Sequence, residues 1–104
     1  MDRSEIFRLP APRTARGHEQ RARYAVIVQA DEFLGLSTVL VSPTSTSARA
    51  TSFRPTITLA GQKTRVLVEQ TTVVDPGRLG RSAGQLDPGE LRALDEALML
   101  VLGL

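Results

Sequence analysis

The side chains best suited to chemistry lie in one polar stretch and in one polar turn. Residues 16–23 contain three arginines, the only histidine (His18) and the pair Glu19-Gln20, and they run directly into an apolar segment that begins at Tyr24. The turn is the hydroxyl-rich segment 42–47. Binding and catalytic groups tend to lie on loops that a rigid strand holds in place. These two segments are therefore our candidate site, and the other elements are expected to position them.

RNA cleavage is the reaction that this set of side chains matches best. The 2′-hydroxyl of the substrate can be the nucleophile, so the protein must move two protons and stabilise charge on the pentavalent phosphorus. Arg23 suits the stabilising role, while Glu19 or His18 can transfer protons. Ser45 can donate a hydrogen bond to a phosphoryl oxygen. A mechanism that uses two histidines is excluded, because the chain has only one.

Each of these residues also has a purely structural interpretation, and composition and spacing alone favour it. Arg23 can simply pair with Glu19, and Glu19 can simply keep the loop soluble. His18 can be an exposed loop residue, and Ser45 can stabilise a turn. Without further information, the sequence predicts only a basic polar loop on a small β-barrel.

Several other kinds of site are excluded or disfavoured. The absence of cysteine removes disulfides, thiolate metal sites and a cysteine nucleophile, and a lone histidine makes a zinc site improbable. No glycine-rich phosphate loop occurs at a strand-to-helix turn. Nothing brings His18 together with a serine and an aspartate as a catalytic triad. We therefore expect neither a metal nor a cofactor.

The positive charge is clustered near the start of the chain. The formal net charge is only +2, yet residues 1–23 carry six arginines against three acidic residues, and Lys63 is the only lysine. The planar guanidinium matches phosphate geometry. A GC-rich genome can explain the abundance of arginine, but it does not explain the clustering around the loop.

Length and hydropathy predict one domain, residues 1–104, with a single small core. Apolar residues make up 41% of the chain and aromatic residues only 4%. No apolar run has transmembrane length, and the first residues lack the apolar region of a signal peptide. We expect a soluble, cytoplasmic protein that does not bind membranes.

The predicted elements are short strands followed by a helix, which makes the chain mainly β. Strands are expected at 5–9, at 24–29 and at 38–41, with 53–59 and 65–69 paired across a turn at 60–63, and a short strand at 71–74. The first should lie at an edge or end of the sheet because prolines follow it, the second should be a buried central strand, and the third should end at Pro43. Asp31 is a possible cap of a short turn. Loops are expected at 10–22 and 44–52, and residues 79–86 should be irregular.

The C-terminal helix has the clearest signals. Asp87, Pro88 and Glu90 have the spacing of an N-cap, a first-turn proline and a capping box, and Gly103 can end the helix. The apolar stripe consists of Leu91, Leu94, Leu98, Val101 and Leu102. Together these elements predict a small, partly open antiparallel barrel that a helix closes.

Several segments, in this order, resemble the MazF/PemK family of bacterial toxins. They include Arg16-Gly17-His18-Glu19-Gln20, the strand from Arg23 to Val28, the Pro-x-Thr-like turn Pro43-Thr44-Ser45, the pair Glu69-Gln70 and the leucine-rich helix that ends the chain. The resemblance covers almost the whole sequence. It implies an SH3-like barrel, a homodimer, and a metal-independent endoribonuclease that cuts single-stranded RNA and leaves 2′,3′-cyclic phosphate and 5′-hydroxyl ends. It also implies a cognate antitoxin protein that blocks the RNA site.

The resemblance also assigns roles to single residues. The catalytic arginine of the family falls on Arg23, its loop glutamate on Glu19, and its Pro-x-Thr threonine on Ser45. The side chains expected to bind RNA are Arg16, His18, Gln20, Arg21, Thr44 and Thr46.

The chain departs from the family pattern at several positions. Ser45 replaces the threonine, so Thr44 or Thr46 could supply the hydroxyl instead, and Tyr24 replaces the proline after the arginine. Thr72 stands where an arginine is often found. A non-enzymatic binding module therefore remains an alternative: a catalytically decayed member, or a barrel that binds DNA gyrase as CcdB does.

Overall fold

The computed structural model describes residues 1–10 and 23–104. Within these ranges the chain forms a mainly β fold with a C-terminal helix, as predicted. The strands are β1 (Glu5–Leu9), β2 (Arg23–Ile27), β3 (Val39–Ser45), β4 (Thr56–Leu59), β5 (Gln62–Val66), β6 (Thr72–Val74) and β7 (Ser82–Gln85), and the helix is α1 (Pro88–Leu102). Short 3₁₀ turns lie at Asp31–Phe33, Val68–Gln70 and Pro76–Arg78.

The strands form a curled antiparallel half-barrel that is organised around β3. The strand order is β4-β5-β3-β2-β1-β7, and β6 also pairs with β3. Along one edge of β3, its first half pairs with β6 through Val39 and Val74, and its second half pairs with β5 through Thr44 and Val66. Two strands therefore share that edge, while β2 covers the other edge.

Apolar side chains pack on both faces of this sheet. Val26 of β2 belongs to a cluster with Ile6 and Leu94, whereas its neighbours Ala25 and Ile27 point into a second cluster. Successive residues of a strand point to opposite faces, so a strand that is apolar throughout is buried on both. The prediction of a buried central strand from Tyr24 onward is thus confirmed.

The helix begins and ends as predicted. Asp87 Oδ1 accepts a hydrogen bond from the Glu90 amide at 2.7 Å, and Glu90 Oε1 accepts one from the Asp87 amide at 3.0 Å. Gly103 ends the helix in the left-handed conformation, with φ 71°. The other carboxylate oxygen of Glu90 accepts from the Thr58 amide at 2.8 Å, which joins the first helical turn to β4.

The apolar stripe of the helix is shorter than predicted. Leu94 and Ala97 are buried, and Leu91 and Leu98 pack beside them. Val101 and Leu102 are exposed, and the packed part of the stripe ends at Leu98.

In the described part of the chain, no helix is long and apolar enough to span a bilayer.

Several predicted boundaries were wrong for physical reasons. β1 is internal, since it pairs with both β2 and β7. β3 continues through Pro43, whose carbonyl still accepts from the Leu67 amide at 2.8 Å. The segment expected to be irregular contains β7, in which Gly84 has φ 112°. Asp31 does not cap its turn but accepts a hydrogen bond from the Arg3 amide at 2.6 Å.

Candidate functional site

A cleft of about 430 Å³ lies where β2 begins and β3 ends. Hydroxyl and amide side chains dominate its lining, and Arg23 is the one residue with a permanent charge among the described residues that line it. The predicted site residues Thr44, Ser45 and Thr46 lie in the same lining. The fold therefore brings together an arginine and a row of hydroxyl groups that are about twenty residues apart in the sequence.

The strand register accounts for this juxtaposition. β2 pairs Ala25 with Pro43 and Val26 with Ser42. Continuing the same register by two residues places Arg23 opposite Ser45. Directly cross-strand residues share a face and are close enough for their side chains to interact.

The hydroxyl oxygen of Ser45 is held in place by hydrogen bonds from the loop that follows it. Its Oγ accepts from the Ser47 amide at 3.2 Å and from the Ala48 amide at 3.1 Å, and it lies 3.3 Å from Ser47 Oγ. A hydroxyl has one proton and two acceptor lone pairs. Because the two amides fix the oxygen, its proton is left to donate to Ser47 or to a ligand in the cleft.

The two neighbouring threonines are in different situations. Thr44 is buried, and its Oγ1 donates to the Tyr24 carbonyl at 2.9 Å, so its proton is already engaged. Thr46 is exposed. Of the three consecutive hydroxyl residues, Ser45 is thus the one that is both fixed in place and half-exposed.

A further set of hydroxyl hydrogen bonds connects β3 to the turn that follows β5. Thr71 Oγ1 donates to the Val68 carbonyl at 2.7 Å. Its single proton is therefore used, so Ser42 must be the donor in the 2.6 Å contact between Ser42 and Thr71. This network ties β3 to the Val68–Gln70 turn, from which Gln70 reaches the lining of the cleft.

Beside the cleft, Arg54 and Glu69 form an ion pair. Glu69 Oε2 accepts from Arg54 Nη2 at 2.6 Å and from Arg54 Nε at 2.9 Å. The Arg54 hydrogen bond is the main reason that the pKa of Glu69 lies below its ordinary value of 4.5. The Arg54 guanidinium also lies 5.4 Å from the centre of the Phe53 ring, so one face of that ring is covered within the chain.

Other predicted site residues cannot be placed. Arg16, His18, Glu19, Gln20 and Arg21 lie outside the residues that the structure describes.

Within residues 1–10 and 23–104, no three His, Cys, Asp or Glu side chains are grouped so that they could hold a metal ion.

Sequence analysis missed three polar residues of the cleft: Gln62, Thr64 and Gln70. Gln62 and Thr64 belong to β5, which begins three residues earlier than predicted. The first four residues from Gln62 to Val66 are all polar, so no alternation of polar and apolar residues marked this part of the strand in the sequence.

The chain matches known proteins over nearly its whole length. A family model described as PemK-like, MazF-like toxin of type II toxin–antitoxin system matches residues 2–102. A protein of Mycobacterium tuberculosis H37Rv, which is named as a candidate toxin, is 35% identical over 103 residues, covering 98% of this chain and 97% of that protein.

Solved structures show the same fold at lower sequence identity. The Mycobacterium tuberculosis toxin MazF-mt6 has a TM-score of 0.78 and 22% identity, covering 96% of this chain and 97% of that one. A mycobacterial endoribonuclease in complex with its cognate antitoxin has a TM-score of 0.82 and 18% identity, covering 100% and 96%. MazF from Deinococcus radiodurans has a TM-score of 0.79 and 20% identity, covering 100% and 97%. The family match over residues 2–102 shows that this chain belongs to the PemK-like, MazF-like toxins of type II toxin–antitoxin systems.

Proposed function

We propose that this toxin is a metal-independent endoribonuclease that cuts single-stranded RNA and leaves 2′,3′-cyclic phosphate and 5′-hydroxyl ends. The observation that carries the proposal is the cleft in which Arg23 and Ser45 meet on paired strands. A guanidinium and a hydroxyl are two groups that can stabilise a phosphoryl centre without a metal ion.

In the proposed reaction, the 2′-oxygen attacks the adjacent phosphorus and the bond from phosphorus to the 5′-oxygen breaks. Arg23 stabilises the negative charge that develops on the phosphoryl oxygens, because it is the one permanently charged side chain among the described residues that line the cleft. Ser45 donates its hydroxyl proton in a hydrogen bond to a phosphoryl oxygen. The two amide hydrogen bonds to its Oγ orient this donor before the substrate arrives.

The proton transfers are assigned from the resemblance to the family. Glu19 takes the proton of the 2′-hydroxyl or returns one to the leaving 5′-oxygen. RNA is held by the basic and polar side chains around it, which are Arg16, His18, Gln20 and Arg21, with Thr44 and Thr46 shaping the cleft. The engaged hydroxyl of Thr44 makes it a structural part of the cleft wall, and this supports Ser45 as the hydroxyl that contacts phosphate.

We further propose that the toxin acts in the cytoplasm as a homodimer and that a cognate antitoxin protein blocks the cleft. Membership of the toxin family supports both the homodimer and the complex with an antitoxin. Apolar side chains exposed on the described surface, such as Val73, Leu100 and Leu102, are available for such contacts. Light scattering on the purified toxin, alone and with its cognate antitoxin, would measure both assemblies.

The experiment that tests the activity uses two versions of one RNA in the presence of EDTA. The purified protein is first incubated with a long single-stranded RNA, and the cut sequence is read from the fragment ends. A short RNA with that sequence is then compared with a copy that carries one 2′-deoxynucleotide at the cut. We expect cleavage of the first and none of the second, because the nucleophile is missing. Cleavage of both at one rate would contradict the proposal.

A further inference from the structure

Four arginines are half-buried in the described part of the chain. Two of them are paired with carboxylates, and the other two flank Ser45. Arg3 pairs with Asp95 at 2.7 Å, and Arg54 pairs with Glu69 at 2.6 Å. Arg23 and Arg65 are also half-buried, yet neither has an ion pair with any described residue. Arginine is almost never fully buried unless it is paired, so two arginines that are half-buried without a described carboxylate are candidates for binding an anion from outside the described fold.

Arg65 lies in line with Arg23 and Ser45 across three adjacent strands. The pairing of β3 with β5 places Ser45 opposite Arg65, and the extended register of β2 and β3 places Arg23 opposite Ser45 on the other side. Cross-strand neighbours share a face of the sheet. Adjacent strands lie about 4.8 Å apart, so the Cα atoms of the two arginines should be separated by about 10 Å, with the serine between them.

One donor of the Arg65 guanidinium has no acceptor in the described fold. Its Nε is buried, and it is the one buried side-chain nitrogen or oxygen in residues 1–10 and 23–104 that has no hydrogen-bond partner. The residue opposite Arg65 on β4 is Thr56, which carries no charge. A buried donor without an acceptor is unfavourable, so Nε does not anchor this guanidinium in the described fold, and the outer Nη groups are the ones that can meet an anion.

We infer that Arg65 binds a phosphate of the RNA backbone that flanks the scissile phosphate. The inference rests on the proposed function. Arg65 lies one strand beyond Ser45 and outside the lining of the cleft, so it contacts a neighbouring phosphate and not the one that is cut. RNA then crosses the sheet from β2 over β3 to β5, with an arginine on each side of Ser45. Lys63, two residues earlier on the same face of β5, extends the positive surface in that direction.

The test measures binding of an RNA that cannot be cut. A fluorescent single-stranded oligonucleotide, 2′-O-methylated throughout and carrying the sequence that the wild type cuts, is titrated against Arg65→Gln over a range of salt concentrations. We expect Kd to rise about five- to tenfold, and the slope of log K against log salt to fall by about 0.7, the loss of one phosphate contact on a single strand. With cleavable RNA, KM should rise while kcat changes less than threefold, since the residue does not touch the scissile phosphate.

Two further variants separate phosphate binding from other effects. Arg92→Gln removes the same charge from the exposed surface of α1, which packs on the other face of the sheet, and it should leave Kd and the slope unchanged. Arg65→Lys keeps the charge and should restore the salt slope while binding more weakly than arginine. Equal losses in Arg65→Lys and Arg65→Gln, with the wild-type slope in both, would mean that Arg65 acts only through the fold and would overturn the inference.

The outcomes also distinguish this inference from the proposed function. If the wild type cuts and binds RNA while Arg65→Gln has the same Kd and salt slope, the inference is wrong and the proposed function stands. If the wild type neither binds nor cuts any single-stranded RNA, both are wrong.

Discussion

Thr44 and Ser45 are adjacent hydroxyl residues whose hydrogen bonds have opposite directions. The hydroxyl of Thr44 is a donor to the Tyr24 carbonyl, whereas the oxygen of Ser45 accepts from two amides of the following turn. Neighbouring residues of a strand face opposite sides, so one hydroxyl joins the strands and the other is presented beside Arg23. This difference decides which hydroxyl is expected to matter for catalysis.

Replacing Ser45 and Thr44 one at a time tests that expectation. Ser45→Ala should lower kcat roughly 10- to 100-fold, within the range for loss of one transition-state hydrogen bond. Thr44→Val should reduce the free energy of unfolding by about 1–3 kcal/mol, because the Tyr24 carbonyl loses its hydroxyl donor, while kcat changes little. Single-turnover cleavage and thermal melts would measure both effects. A larger loss of kcat in Thr44→Val than in Ser45→Ala would contradict the assignment.

Replacing Arg23 should affect the chemical step most strongly. Arg23→Ala is expected to lower kcat by about 10²–10³-fold, the usual effect of removing a preorganised charge or donor from a transition state. Arg23→Lys should recover only part of the activity, since an ammonium lacks the planar fork of donors. The matched control Arg92→Ala, on the exposed surface of α1, should cut at the wild-type rate.

The Arg54–Glu69 pair predicts a pH dependence of stability. Because the hydrogen bond from Arg54 lowers the folded-state pKa of Glu69 below 4.5, the pair stabilises the fold above that pH. This contribution is lost as the pH falls through the folded-state pKa. Glu69→Gln should therefore be less stable than the wild type at pH 7, by no more than about 1 kcal/mol for an ion pair at the protein surface, and the difference should shrink toward pH 3.

Urea unfolding of both proteins at several pH values would measure this change. The control is Glu96→Gln, at an exposed position of α1, which should show no such trend. A stability difference between Glu69→Gln and the wild type that stays constant from pH 7 to pH 3 would rule out the ion pair as its source.

The helix should be a major source of stability because of Leu94. This side chain is fully buried in the cluster between α1 and the sheet, so Leu94→Ala should cost about 2–5 kcal/mol through lost burial and a cavity. Arg92→Ala, two positions away and exposed, should change the free energy of unfolding by less than about 0.5 kcal/mol. Denaturant melts that show equal effects would contradict the packing of α1 described above.

Features that depend on neighbouring residues could be predicted from the sequence, and features that depend on strand pairing could not. The capping box of Asp87 and Glu90 involves residues three apart, so its spacing in the sequence was sufficient. The internal position of β1 depends on β7, which lies more than seventy residues away and has little apolar character. Pro43 looked like the end of a strand because its missing amide is a local property, whereas the Leu67 amide that bonds its carbonyl is distant in sequence.

The candidate site follows the same division. Arg23 and Ser45 were recognised from residue type and from the resemblance to the toxin family, but their position on paired strands required the structure. Arg65 was not recognised at all, because its relation to Ser45 arises only from the register of β3 and β5. An arginine within a strand carries no local signal that separates a surface charge from a phosphate-binding group.

The most direct test of the proposed mechanism is the chemistry of the fragment ends. Wild-type protein is incubated with single-stranded RNA in EDTA, and the fragments are analysed by mass spectrometry, with Arg23→Ala as the matched control. Attack by the 2′-hydroxyl predicts 2′,3′-cyclic phosphate and 5′-hydroxyl ends that form without a divalent ion and nearly disappear in the variant. Fragments with 5′-phosphate and 3′-hydroxyl ends, or cleavage that is equally fast in Arg23→Ala, would contradict it.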